Sequence, residues 1–333
     1  MFLALSVPKN EAQRTLQKAI DAGLLDRDRK VLQKGGHVEI PVTSEVPGHE
    51  TVCQSNPLFY RREPELAEFL GEKVPSWKID LLPRGWSIQG SVIAVKINPK
   101  LDGMEKDIGD ALLAMYPRCK CVLKDWGIEG QFREPKREVI AGEGSETLIK
   151  ENGVLFKLDA MRTMFSAGNL DERIRMSHFG RDEFVVDMFA GVGYFSLPMA
   201  VHSRPDHVLS IELNPVAYGY LKENVRLNHV EEIVEPVLGD CSKVTPKGVA
   251  DRVVMGYVGT TDRYLDFGIR ALKPGGQLHY HQTVPEWLYP SALEKDVKEA
   301  AACLGRTAQI EGRSKVKKYS PGMVHAVLDV AIE

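Results

Sequence analysis

The sequence predicts an α/β chain. A doubly wound parallel sheet over residues 151–333 follows two small α/β or α+β domains at 1–50 and 75–150. Three observations lead there. From Glu183 onward short apolar runs alternate with helix-like segments, the order of βαβ units that build a parallel sheet covered on both faces. Ahead of it, two stretches each carry their own strand and helix signals. A length of 333 residues also fits two or three domains of ordinary size.

Composition excludes several classes. With 43% hydrophobic and 27% charged residues the chain is too apolar for general disorder. A net charge of −3 gives no overall basic bias, so contact with nucleic acid would require a local basic face. Five cysteines with no C-x2-C pair argue against a zinc ribbon or a disulfide framework and fit a reducing cytoplasm. There is no apolar run of ~18 residues, and the start MFLALSVPKNEAQ lacks the basic region of a signal peptide. The expectation is a soluble cytoplasmic monomer with no membrane contact.

Each element has its own signal. NEAQRTLQKAIDAG offers Asn10 as N-cap, Ala12, Leu16, Ala19 and Ile20 at helical spacing, and Gly23 as a stop. HVEIPV alternates as a strand, and SEVPGHETVCQSNP reads as loop or linker. In the second unit 91–97 and 119–125 read as strands around an amphipathic helix at 103–117, with 131–143 as a charge-rich hairpin arm. Cys119 and Cys121 alternate on one strand and read as core packing. In the third unit FVVDMFAG, HVLSIEL, IVEPVLGD, DRVVMGYV and GGQLHYHQT are five strands. YFSLPMAV, PVAYGYLKENVRLNH and TDRYLDFGIRAL are helices between them, and HAVLDVAI is a late strand of the same sheet.

The strand ends carry the chemistry. A strand delivers Asp187 to its carboxyl end, then Gly191 and Gly193 let the backbone pass close to a ligand before a helix begins. Glu212 ends the next strand, where an acid takes ribose hydroxyls, and Asp240 follows the third, where it meets an adenine amino group. Three carboxylates at successive strand ends favour a nucleoside without phosphate, because they would repel a pyrophosphate. Ser196 stands where a dinucleotide site has its third glycine, which argues against NAD(P). The ligand read from this pattern is S-adenosylmethionine, and the fold is that of a class I, Rossmann-like transferase using it.

DMFAGVGYFSLPMA, with IELNP and RLNHV downstream, resembles the S-adenosylmethionine-dependent enzymes that act on position 37 of tRNA. These are the guanine-N1 methyltransferases and the wyosine-pathway aminocarboxypropyltransferases, the tRNA wybutosine-synthesising protein 2 family. The resemblance runs through most of the chain, including the small N-terminal module, GSVIAVKI and FKLDAMRTMFSAGNLDERIRM. Three places point to the aminocarboxypropyl branch. Gly168 stands where the methyltransferases have the arginine of Phe-Ser-Pro-Arg-Leu, and Met255-Gly256-Tyr257-Val258 replaces their Asn-x-Pro motif. HYHQTVPE and KYSPG resemble the aminocarboxypropyl branch directly.

The resemblance implies transfer of the 3-amino-3-carboxypropyl group to C7 of 4-demethylwyosine in the anticodon loop of tRNA-Phe, with 5′-methylthioadenosine released. It implies Ser166 and Arg173 at the donor site, Glu212 on the ribose, and Asp240 and Cys241 at the adenine. The proton acceptor stays open among Tyr257, His279 and His281; alternation puts both histidines on one side of their strand with Tyr280 opposite. No third ligand accompanies the H-x-H pair, so no metal is expected. Arg313, Lys315, Lys317 and Lys318 beside Tyr319 suit phosphate contact with base stacking, and are the expected RNA-binding residues. The competing readings are a guanine-37 N1-methyltransferase and a non-catalytic tRNA-binding protein that holds the nucleoside.

Overall fold

The computed structural model describes residues 2–46, 48–59, 65–130 and 132–333. Parts of the predicted start, linker and hairpin arm (Met1, Pro47 and Gln131) lie outside the described residues. The chain forms two compact units, 1–65 and 66–333.

The first unit is a four-stranded antiparallel sheet in the order Leu32–Lys34, His37–Pro41, Leu3–Pro8, Thr51–Cys53. Helix Ala12–Asp21 covers it through Thr15 and Ala19. The expected Asn10 cap is not used: Glu11 is the N-cap and makes no side-chain cap bond. Thr51–Cys53 falls inside the stretch expected to be a linker. A three-residue strand is too short to show alternation, yet it pairs with Leu3–Leu5 and completes the sheet. Arg29 ties the unit together from inside, donating to the carbonyls of Leu3 and Val42 and to Gln54 Oε1.

In the second unit helix Leu66–Leu70 precedes a small sheet in the order Trp86–Gln89, Val92–Val95, Cys121–Glu129, Glu134–Gly142. Its central pair is parallel, as the helix Glu105–Met115 between those strands requires. Cys119 precedes the strand instead of sharing a face with Cys121. Cys121 is buried in the core that continues into the C-terminal sheet, and Cys119 packs against the core under the 105–115 helix. A separate hairpin, Glu146–Glu151 with Val154–Asp159, leads into the C-terminal region.

That region has seven strands: β1 (Phe184–Asp187), β2 (His207–Glu212), β3 (Val234–Leu238), β4 (Ala250–Met255), β5 (Leu272–Pro285), β6 (Ala308–Ser320) and β7 (Met323–Ile332). Its helices are α1 (Leu170–Met176), α2 (Ser196–His202), α3 (Pro215–Leu227), α4 (Cys241–Val244), α5 (Leu265–Ala271) and α6 (Ser291–Cys303). The sheet order is β3-β2-β1-β4-β5-β7-β6. Val185 and Val254 face one core with Leu197 of α2 and Leu221 of α3, while Val186 and Val253 face the other with Ile269 of α5 and Val297 of α6. Burial on both faces explains why these strands read as continuous apolar runs.

The expectation of an all-parallel sheet fails at one side. β7 is antiparallel to both β5 and β6. A tight hairpin through Pro321 and Gly322 joins β6 to β7, and such a link can only return the chain antiparallel. The order reverses between β1 and β4, which opens a crevice beyond the carboxyl ends of the strands.

Candidate cofactor and active site

A cavity of about 260 Å³ fills that crevice. Its floor is the turn after β1. Asp187 is fully buried behind this turn, its carboxylate accepting from Ser196 Oγ at 2.8 Å and from the Phe189 N–H at 3.3 Å. Ser210 Oγ donates in turn to Ser196 Oγ at 2.8 Å. Burial raises the Asp187 carboxyl to about 6, against these donors that favour the charged form. Asp187 therefore braces the turn from behind and does not line the cavity.

The turn needs its glycines. Gly191 has φ +58°, and a Cβ there would stand 2.3 Å from the Tyr194 ring. Gly193, at φ +104°, packs against Leu197 and lies off the cavity wall. The N–H of Gly191 donates to Glu212 Oε2 at 2.7 Å, and that of Asn214 to Oε1 at 2.7 Å. Each Glu212 oxygen thus keeps further acceptor capacity toward the cavity it lines. Burial raises this carboxyl above its ordinary value despite those donors. Asp240 caps α4, accepting from the Ser242 N–H and hydroxyl at 3.0 and 2.7 Å, and lines the cavity with Cys241. Burial pushes the Cys241 thiol up to about 12, so it is a neutral wall.

Opposite stands the segment before α1. Ser166 lines the cavity and its Oγ accepts from Lys317 Nζ at 2.6 Å. Arg173 does not reach the cavity. Its guanidinium grips both oxygens of Glu151, at 2.5 and 2.9 Å, and donates to the Ser166 carbonyl at 2.9 Å. It fixes the Ser166 backbone.

Of the three candidate proton acceptors only Tyr257 lines the cavity. Its ring stacks on Phe189 at 5.2 Å and lies under the Arg133 guanidinium at 5.4 Å. His279 and His281 do share a side of β5, but they are buried behind the cavity wall. His279 Nε2 faces Arg252 Nη1 at 2.5 Å and Nδ1 faces Asp329 Oδ1 at 2.6 Å. Arginine only donates, so Nε2 accepts, Nδ1–H donates to the carboxylate, and the neutral ring has no lone pair left for a substrate proton. Burial holds His279 below its ordinary value and His281 down to about 3. His281 Nδ1 meets His325 Nε2 at 3.2 Å, and His325 is the histidine on the cavity wall.

The basic stretch divides. Arg313 pairs with Glu294 and Lys315 with Glu286 on the surface. Lys317 turns inward to the cavity, and Tyr319 stands at its wall while 49% exposed. Lys318 also lies on β6. Reasoning from sequence missed Arg133, Arg162, Asn169 and His325 on the wall. Among the described residues no group of three or more His, Cys, Asp or Glu side chains could hold a metal, and no helix is long and apolar enough to cross a membrane. A tight glycine turn as floor, half-satisfied acids that suit ribose and adenine, and an adjoining cationic wall fit S-adenosylmethionine.

Comparison with known proteins agrees. The TRM5/TYW2 methyltransferase domain matches residues 147–308, the TYW2 N-terminal domain 66–145, and the tRNA methyltransferase 5 N-terminal domain 4–50. A Pyrococcus horikoshii tRNA(Phe) (4-demethylwyosine(37)-C(7)) aminocarboxypropyltransferase is 35% identical over 81% of this chain and 97% of its own. The Pyrococcus abyssi tRNA (guanine(37)-N(1))-methyltransferase Trm5b is 33% identical over 100% of this chain and 99% of its own. The crystal structure of P. horikoshii TYW2 in complex with MeSAdo superposes with a TM-score of 0.72 at 34% identity, over 80% of this chain and 97% of that one. By these matches the chain belongs to the tRNA wybutosine-synthesising protein 2 family, a branch related to the tRNA guanine-37 N1-methyltransferases.

Proposed function

We propose that the chain transfers the 3-amino-3-carboxypropyl group of S-adenosylmethionine to C7 of 4-demethylwyosine at position 37 of tRNA-Phe. It does so as a cytoplasmic monomer with no membrane contact, meeting the anticodon loop. The carrying observation is the 35% identity to an enzyme of that name, nearly all of whose length this chain spans.

When bound, the donor supplies an electrophilic carbon next to a sulfonium. The C7–Cγ bond forms as the S–Cγ bond breaks, sulfur keeps the electron pair as a neutral thioether in 5′-methylthioadenosine, and the C7 proton passes to solvent water. Glu212 takes the ribose hydroxyls, with Gly191 and Gly193 shaping the turn beneath and Asp187 bracing it. Asp240 and the Cys241 backbone face the adenine. Ser166 lines the amino-acid end, held by Arg173. Tyr257, already part of an aromatic stack, meets the incoming base; His279 and His281 support the wall behind it. Tyr319 at the cavity wall, with Lys318, Arg313 and Lys315 along β6, receives the RNA. No step calls for a metal.

One observation favours methyl transfer to guanosine instead: the Trm5b relative matches the entire chain, the N-terminal module included. The test is mass spectrometry of nucleoside 37 after incubation with donor and tRNA-Phe carrying either base. A gain of about 101 Da on 4-demethylwyosine with methylthioadenosine released is expected; about 14 Da on guanosine with S-adenosylhomocysteine released refutes the reading.

A further inference from the structure

Three strands stand taller than the rest of the C-terminal sheet. Met255, the last residue of β4, is level with Tyr280 of β5, so 281–285 run on past the carboxyl ends where the cavity opens. β7 accompanies them over 323–327 and β6 over 314–320. At ~3.3 Å per residue this wing rises about 16 Å beyond the end of β4. Its inner face is cavity wall, through Lys317, Tyr319 and His325. Its tip is the turn that follows β5, Glu286–Leu288. That turn is pinned: the Glu286 N–H donates to the Gly322 carbonyl at 2.9 Å, and Glu286 Oε1 accepts from Lys315 Nζ at 2.9 Å. Trp287 stands on it 81% exposed, the most open of the described large hydrophobic side chains.

A cavity recessed behind such a wing admits a base only after the base has left its stack. The two nucleotides beside it then each lose a stacking face. We propose that the Trp287 indole stacks on one of these neighbours, in place of the base that the cavity has taken. This rests on the tRNA reading of the site: the occupant is an anticodon-loop base adjoining position 37. Two observations favour RNA over a protein partner. The turn is hydrogen-bonded to the β6–β7 hairpin, just past Tyr319 on the cavity wall, so the indole continues the cavity's own rim. Lys315 and Lys318 outweigh Glu286 there, and a flat aromatic among cations suits a base with its phosphate. Because the turn is already fixed, stacking costs little additional ordering. The indole carries no charge, so it adds stacking without adding a phosphate contact.

The test is fluorescence anisotropy of end-labelled tRNA-Phe titrated with the full chain, the tRNA being intact or lacking the base at position 36 or at 38. Trp287→Ala is expected to weaken binding of the intact tRNA about 5- to 150-fold, the range of one base–aromatic stack. The slope of log affinity against log salt should not change, because no phosphate contact is lost. Trp287→Phe should restore most of the affinity. The penalty of Trp287→Ala should vanish on one of the two abasic tRNAs, and calorimetry with 5′-methylthioadenosine should stay within about threefold of wild type. An equal penalty on all three tRNAs, or a lost methylthioadenosine site, would show that the indole only shapes the turn and overturn the proposal. Unchanged tRNA affinity would overturn it as well, and a wild-type dimer that Trp287→Ala dissociates in sedimentation would then assign the indole to a second copy of the chain. None of these titrations involves turnover, so a wild type that methylates guanosine refutes the transferase reading and leaves the stack standing.

Discussion

Replacing Glu212 by glutamine tests nucleoside recognition at the end of β2. Its two oxygens receive the N–H groups of Gly191 and Asn214, each at 2.7 Å, and face the cavity with their remaining lone pairs. Glutamine keeps one carbonyl oxygen. Its amide nitrogen must then face one of the two N–H groups, donor against donor, at a distance built for a hydrogen bond. A ribose hydroxyl that had donated to a carboxylate loses a charge-assisted bond worth about 1.5–3 kcal/mol. At 1.4 kcal/mol per decade this is roughly 10- to 100-fold in affinity. Calorimetry with 5′-methylthioadenosine isolates the effect, because that probe has the ribose and no amino-acid arm. A Glu212→Gln protein binding it within threefold of wild type would refute the reasoning that this carboxylate is the ribose acceptor.

Three further outcomes follow from the same geometry. The Asp187 carboxyl titrates near 6 when folded, against an ordinary 3.8, so the folded state holds more protons between those values and stability falls as pH rises through that window. Asp187→Asn should flatten this slope in urea unfolding from pH 4 to 6; an unchanged slope counts against a buried, raised carboxyl. Gly191→Ala must adopt φ +58° and displace the Tyr194 ring, for at least about 1 kcal/mol of backbone strain. Both melting temperature and donor affinity should drop, and retention of both would be contrary. Arg173→Met strands Glu151 and frees the Ser166 carbonyl, at a cost of about 3–5 kcal/mol in denaturant unfolding. Adding Glu151→Gln should recover part of that loss, and no recovery would show that the pair is not what Arg173 contributes.

What the sequence made legible was whatever local spacing controls. Glu212 and Asp240 lie at or just past strand ends, so their place on the cavity wall follows from the order of elements, whereas Asp187, also at a strand end, turns away and braces the turn from behind. Period-two alternation put His279 and His281 on one side with Tyr280 opposite, and Tyr280 does lie in the other core. Alternation names a side and not what covers it; only tertiary packing put Arg252 and Asp329 on His279. Lys317 shows the same limit, since in sequence it is one cation of a run and in space it faces inward while Lys315 faces Glu286. Arg133 and Asn169 come from turns with no periodic signal, and reach the cavity only because segments more than a hundred residues apart meet there, as Arg133 does with the Val258 carbonyl. β7 was legible as a strand but not in direction, because direction depends on its partner.

β6 ends the seven-stranded sheet, with β7 on one side only, and its pairing with β7 slips at three points: 310/312, 315/317 and 318/320. An open edge of thirteen residues would otherwise be an inviting template for another chain's strand. Its kinks spoil the straight ladder such a visitor would need. The same slips that bend this margin thereby guard the molecule against sticking to itself.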